Sequence, residues 1–284
     1  MSDTSRGHRE LAPALPLALL FVVAFVLPLI ALVAISLYRT PEFLDLSPVQ
    51  YLRFLRDPFS LRVLADTVML GLEVALCTLV LGYPLALVYA ASGTILRIAL
   101  TFLILLPLLT STVVRTFAWI VILGRDGIVN ATMLSLGLWD SPARLLYSWG
   151  GLVLALTQIQ LPLMALPLIN SLLRLDGNLA KAAEGLGAGR FRVFFTVILP
   201  LTLPGAIAGG LLVFAAAATA FITQTLVGGG RIILMPSYIY QQSMGVQDWP
   251  FAAALSLIFT AAVIGIVTAI GALSRLATRG QHAA

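Results

Sequence analysis

Apolar residues along this chain gather in six long blocks, near 13–37, 64–91, 95–123, 149–173, 199–227 and 251–274. Each block is about 20 residues or longer, enough for a helix to cross roughly 30 Å of hydrocarbon. Proline and glycine recur inside them, at Pro28, Gly82, Pro84, Pro107, Pro162, Pro167, Gly209 and Gly210. Such residues are tolerated in membrane helices, where they mark kinks or close packing. The pattern predicts an all-α, polytopic membrane protein with six transmembrane helices. It shows no internal repeat and no low-complexity linker, so one helical domain is the simplest reading. The first run, Leu11 to Leu37, is too long for a signal-peptide core of roughly 7–15 residues, and it reads as an uncleaved helix.

The polar segments divide the rest into a tail at 1–12, a loop at 38–63, a connection at 174–198 and a tail at 275–284. An even number of spans puts both tails on one side. On the side of the tails lie nine basic residues: Arg6, Arg9, Arg97, Arg174, Lys181, Arg190, Arg192, Arg275 and Arg279. On the other side lie seven: Arg39, Arg53, Arg56, Arg62, Arg125, Arg144 and Arg231. The small excess, on shorter connections, predicts cytoplasmic termini. The outer loops carry enough Pro and charge for short surface helices at 38–63. Trp139 and Trp149 are expected at headgroup level.

Composition narrows the chemistry. Mean hydropathy is +1.02 and only 10% of the 284 residues are charged, which excludes an ordinary soluble domain. The formal charge of +5 then reads as loop orientation, and nucleic acid is not an expected partner. One cysteine, Cys77, rules out a disulfide within the chain or a cysteine-based zinc site. The two histidines, His8 and His282, sit in the tails, so no metal or imidazole site is expected. The single lysine, Lys181, precedes Ala182, so the chain has no Gly-Lys-Ser/Thr phosphate loop. If ATP is used, another polypeptide binds it.

The connection Ala180–Gly205 raises the sharpest question. Asn178 is a candidate helix N-cap, Leu179–Leu186 a short helix and Gly187 its terminator. Ala180, Ala183 and Gly187 then share a nearly bare face that another surface could approach closely. On this register Lys181 takes the third helical position, where a glutamate could close a capping box and a lysine cannot. Arg190–Val197 alternates basic and apolar residues, and Pro200 and Pro204 mark the return to the membrane.

Lys181-Ala182-Ala183, then Gly187, then Val197, then Leu199-Pro200 match the spacing of Glu-Ala-Ala, Gly, Ile and Leu-Pro in one known loop. The segment resembles the EAA loop of inner-membrane permeases in ATP-binding-cassette (ABC) importers. Lys181 replaces the family glutamate, and Val197 replaces its isoleucine. The resemblance implies a coupling helix seated in a groove of an ATPase subunit, with Asn178, Lys181, Ala182, Ala183, Glu184, Gly187 and Arg190 in the contact. The plainer alternative is an amphipathic linker. Lys181 would either meet an acidic residue of the partner or remain solvated.

Further stretches are similar to the polyamine (spermidine/putrescine) branch of these permeases. They are Gly82-Tyr83-Pro84-Leu85-Ala86, Pro107 to Asn130, Gln160 to Met164, Leu175-Asp176, Leu226 to Gly229 and Asp248 to Ala254. The resemblance runs from about Thr67 to the C-terminus. It implies a type I ABC importer permease fold, with an N-terminal helix at 13–37 and a five-helix core at 64–274. It further implies a bacterial inner-membrane location, a different second permease as partner, an ABC ATPase dimer carrying ATP and Mg, and a periplasmic or extracellular solute-binding protein. No cofactor is expected in this chain, and no catalysis. The solute would be spermidine, putrescine or a related small molecule.

Ionisable and polar groups inside spans are costly and usually face a cavity or a partner. Glu73 and Arg115 could pair as a clamp, or one could line a solute pathway. The resemblance places an arginine at 115 without reference to solute, which favours structure there. A carboxylate such as Glu73 suits a cationic solute, and Tyr83, Trp119 and Gln158 could add cation–π or hydrogen-bond contacts. Gly185-Leu186-Gly187-Ala188-Gly189 follows no strand and is not read as a dinucleotide loop. The alternative function is an ATP-independent secondary transporter or channel. That would need ion-coupling residues and often an inverted repeat, and neither is visible. A membrane enzyme lacks the clustered acids and histidines it would need.

Overall fold

The computed structural model describes residues 14–42 and 45–279. The N-terminal tail expected at 1–12 and the last five residues of the C-terminal tail lie outside the described residues. Fourteen α-helices are described: α1 Ala14–Phe21, α2 Leu27–Ser36, α3 Val49–Arg56, α4 Pro58–Ala91, α5 Thr94–Leu109, α6 Thr112–Leu123, α7 Ile128–Ser135, α8 Trp149–Leu173, α9 Gly177–Gly185, α10 Arg190–Val193, α11 Leu199–Ala218, α12 Phe221–Gly228, α13 Met235–Tyr240 and α14 Trp249–Arg279. Single π turns join α1 to α2, α10 to α11 and follow α13. The fold is all-α, with one isolated antiparallel bridge between Tyr38 and Leu46.

Six helical stretches are long and apolar enough to cross a membrane: Leu19–Ser36, Pro58–Ala91, Thr112–Ser135, Trp149–Leu173, Arg190–Ala218 and Trp249–Ala272. Their number matches the expectation, but three boundaries do not. The second helix starts at Pro58 instead of 64, because Asp57 caps it. Its carboxylate accepts from the Ser60 hydroxyl at 2.6 Å and from the Phe59 and Ser60 N–H groups at 3.1 Å. The Ser60 hydroxyl is the main reason the Asp57 carboxyl is held below its usual range. The block at 95–123 breaks at Thr110–Ser111, where Thr110 turns extended (φ −93°, ψ 144°) and α5 gives way to α6. The block at 199–227 breaks after Ala218, and α12 starts afresh at Phe221.

The chain forms two compact units, residues 1–62 with 238–261, and residues 63–237 with 262–284. The first holds α3, one of the surface helices expected in 38–63. Phe54 is buried, and Gln50 donates to the carbonyls of Tyr38 and Arg39 at 3.3 and 2.9 Å. Arg53 pairs with Asp248 at 2.7 Å and lies 3.9 Å above the Phe251 ring.

The second unit is built on α8 and α11. Small residues bring their backbones together. Gly205 and Gly209 are one turn apart on α11. A Cβ at Gly205 would collide with the Ser171 side chain and come within 2.8 Å of the Pro167 carbonyl. One at Gly209 would stand 2.9 Å from Met164 Sδ. Met164 is fully buried, and its other flank meets Gly82 of α4. Gly71 on α4 receives the Phe214 ring of α11 in the same way. Around these contacts Leu70, Val74, Leu156, Leu168, Val213 and Leu234 close a continuous core.

Candidate functional site

Two sets of residues were singled out by sequence: the connection between α8 and α11, and the polar groups inside the spans. In the connection, α9 is capped by Asp176 and not by Asn178. Asp176 stays extended (φ −67°, ψ 113°), and its carboxylate accepts the Asn178 N–H at 2.9 Å. Asn178 is already the second helical residue. This moves Lys181 to the fifth position, two residues past the place where a capping box would form, so the expected capping conflict does not arise. At the other end Gly187 takes φ +86°. Its N–H donates to Glu184 O at 2.9 Å, and the Ala188 N–H donates to Ala183 O at 3.0 Å. That is a Schellman closure, which favours glycine at the left-handed position.

The bare face also turns the other way from the sequence expectation. Ala180 and Ala183 are the half-buried positions of α9, and the helix packs on the following segment 190–198. Asn178, Lys181, Ala182, Glu184 and Gly187 are exposed. Beside them stand apolar groups that sequence reasoning passed over. Leu186 is 91% exposed and Phe191 84%. Arg190, Phe191, Phe194 and Phe195 line a shallow cavity of about 420 Å³. Their signal was the alternation of basic and bulky residues, which pointed to a return into the membrane when it also laid apolar side chains open beside α9.

Inside the spans the structure sorts the five candidates into three places. Glu73 of α4 accepts a hydrogen bond from Trp149 Nε1 at 2.6 Å. Trp149, expected only as a headgroup anchor, is therefore a specific partner of a half-buried carboxylate. Glu73 and Arg115 do not form a clamp. Among the described residues the ion pair found is Arg53–Asp248. Arg115 of α6 donates instead to the Ile159 carbonyl at 3.1 Å and to Thr112 Oγ1 at 3.3 Å. Pro162 lies within the same helix and removes the amide that would bond the Gln158 carbonyl, one residue before the acceptor of Arg115.

One turn along α6, Trp119 Nε1 donates to Gln158 Oε1 at 3.0 Å. Gln158 is exposed and lines a cavity of about 250 Å³ with Leu85, Leu103, Pro107, Leu161 and Ala165. Arg115, Trp119 and Gln158 thus form one polar seam between α6 and α8. Tyr83 is elsewhere. It is 7% exposed, its hydroxyl bonds the Thr202 hydroxyl, and its ring meets Phe194 edge-on at 5.3 Å. Its polar atom is spent tying α4 to α11. No group of three or more His, Cys, Asp or Glu side chains able to hold a metal occurs among the described residues.

Comparison with known proteins sets this geometry in context. Residues 78–279 match the family described as binding-protein-dependent transport system inner membrane component. The chain is 36% identical over 220 residues to the spermidine/putrescine transport system permease protein PotB of Salmonella typhimurium, covering 78% of this chain and 76% of that one. It is 37% identical over 210 residues to PotB of Escherichia coli, covering 74% and 76%. A crystal structure of a bacterial alginate ABC transporter in complex with an alginate pentasaccharide-bound periplasmic protein contains a chain of the same fold. The TM-score is 0.79 at 17% identity, covering 95% of each chain.

Proposed function

The chain belongs to the family of binding-protein-dependent transport system inner membrane components, and from that premise we propose that it carries a polyamine-type solute and that α9 transmits the ATPase stroke to it. As a member of that family it is a transmembrane permease subunit of an ABC importer and not an enzyme. It works with a second permease, an ABC ATPase and a soluble binding protein. ATP and Mg belong to the ATPase.

The observation that carries the coupling role is the state of α9. The helix is closed at both ends by residues that flank it, Asp176 and Gly187-Ala188, and it packs on the segment 190–198 of its own chain. Its outward side, Lys181, Ala182 and Glu184, is nevertheless open, with Leu186 and Phe191 exposed beside it. A short, preformed helix with exposed apolar neighbours fits a groove on another protein. On this reading both termini and α9 are cytoplasmic. The EAA spacing and the excess of basic residues on that side support the orientation.

The polyamine assignment draws on the identity to proteins named for spermidine and putrescine. Glu73 adds a carboxylate within a span, suited to a cationic amine. Trp119 and Gln158 are the further pathway candidates, with Arg115 fixing the turn of α8 behind them. Ala182→Arg on the open side of α9 is expected to cut ATP-driven uptake about tenfold or more by blocking a close-packed contact. The assay is uptake of labelled spermidine and putrescine by the reconstituted importer. Unchanged uptake in the variant would overturn the coupling role. A wild-type importer that moves neither amine but does move another solute would overturn the polyamine assignment alone.

A further inference from the structure

Three arginines, each in a connection between two helices, line one cavity. Arg125, Arg144 and Arg231 line a hollow of about 430 Å³, with Leu123, Leu146 and Tyr147 among its other walls. No acidic side chain lines it. All three arginines are exposed, and among the described residues none is in an ion pair.

The hollow is also held rigid. Buried Asn130 donates to the carbonyls of Gly124 and Ala143 at 3.0 and 3.1 Å and accepts the Ala143 N–H at 2.8 Å. It thereby staples the segment of Arg125 to the segment of Arg144. The Tyr147 N–H donates to the Val227 carbonyl at 3.0 Å, which ties in the third segment. That segment reaches Arg231 through Gly229 and Gly230, at φ +61° and +69°. Tyr147 itself sits at φ +60°, a costly conformation for a bulky residue, with its ring against the Gly229 backbone.

Its location follows from α8. That helix runs for 25 residues, about 37 Å, from Trp149 beside the hollow to Leu173 before α9. The hollow and α9 are therefore at opposite ends of one membrane helix. With α9 cytoplasmic, as proposed above, the hollow opens on the outer face. Translocated loops generally disfavour arginine. Three of the seven basic residues assigned to the outer side are nonetheless gathered here. Three exposed guanidinium groups around one hollow that no acidic side chain lines make a positive concavity, which attracts an acidic ligand.

We propose that this hollow is a docking socket for acidic side chains of the importer's solute-binding protein. That partner approaches from the outer side, is required by the family, and supplies carboxylates that guanidinium groups grip in a two-pronged fashion. The proposal rests on the orientation given under Proposed function. It assigns Arg125, Arg144 and Arg231 to recognition and to the rate of docking, because charges around a socket act largely on association and on its salt dependence.

The test uses the whole importer in nanodiscs with its own binding protein, and measures association by surface plasmon resonance at low and high salt. The triple variant R125Q/R144Q/R231Q is expected to bind at least about tenfold more weakly at low salt and to lose most of the salt dependence. The triple lysine variant is expected to recover part of both. Co-elution of the glutamine variant with its ATPase reports that it has folded. Wild-type affinity and salt dependence in the glutamine variant would overturn the proposal. So would a loss of co-purifying phosphatidylglycerol with docking unchanged, which would make the hollow a lipid site. A wild-type importer that transports solute with no binding protein at all would instead overturn the reading of the family role.

Discussion

The N-terminal span and α8 are both strongly apolar, yet only 6% of Leu19–Ser36 is buried within the chain, against 56% of an 18-residue apolar stretch of α8. The more uniformly apolar helix is the less buried one. In water, burial follows hydrophobicity, but in a bilayer lipid is as good a neighbour for leucine as protein is. Large residues such as Leu20, Phe25 and Ile30 therefore remain on the outside. What α8 buries is close contact. Met164 lies between Gly82 and Gly209, and the Pro167 carbonyl and Ser171 lie against Gly205. Two of its polar side chains hold defined partners, Trp149 with Glu73 and Gln158 with Trp119.

The strongest way to break this contrast is to deny α8 its close approach. Gly205→Leu is expected to cost about 3 kcal/mol or more, because its side chain meets the backbone of α8 and cannot be relieved by a rotamer change. Unfolding in mixed micelles with rising sodium dodecyl sulfate would measure it, and a loss under 1 kcal/mol would show that helix packing here is plastic. Trp149→Phe keeps an aromatic ring but removes the bond to Glu73 and part of the indole's packing against the core. A loss of about 1–2 kcal/mol is expected in the same assay, the half-exposed carboxylate recovering part of its solvation. Leu29→Ile in the N-terminal span should change stability by less than about 0.5 kcal/mol, since that side chain is exposed. A large effect at Leu29 would mean that its face meets protein in the assembled importer.

Several local choices were beyond periodicity. The Asp176-Gly177-Asn178 stretch offers two capping residues two positions apart, and composition cannot rank them. The backbone leaves its extended state at Asp176, and that decides the register of Lys181. The break at Thr110–Ser111 hides in an apolar run because two small hydroxyl residues barely lower its hydrophobicity. Tyr83 looked available to a solute because its partner, Thr202, lies 119 residues away. Separation in sequence likewise hides the arginine hollow, whose walls come from three separate segments.

By itself the sequence determined the environment and the role. Long apolar blocks demand a membrane, because so much apolar side-chain surface is unstable in water, and a helix satisfies its own backbone hydrogen bonds in lipid. The spacing of the connection after α8 identified the kind of machine. Tertiary structure alone decided which small residues become contacts, which polar groups are spent on one another, and which remain open. Those outcomes depend on pairs of residues brought together by folding, and hydrogen bonds and close packing reach only a few ångströms. Glu73 and Arg115, the pair that charge alone would join, are kept apart because each finds a nearer partner on α8.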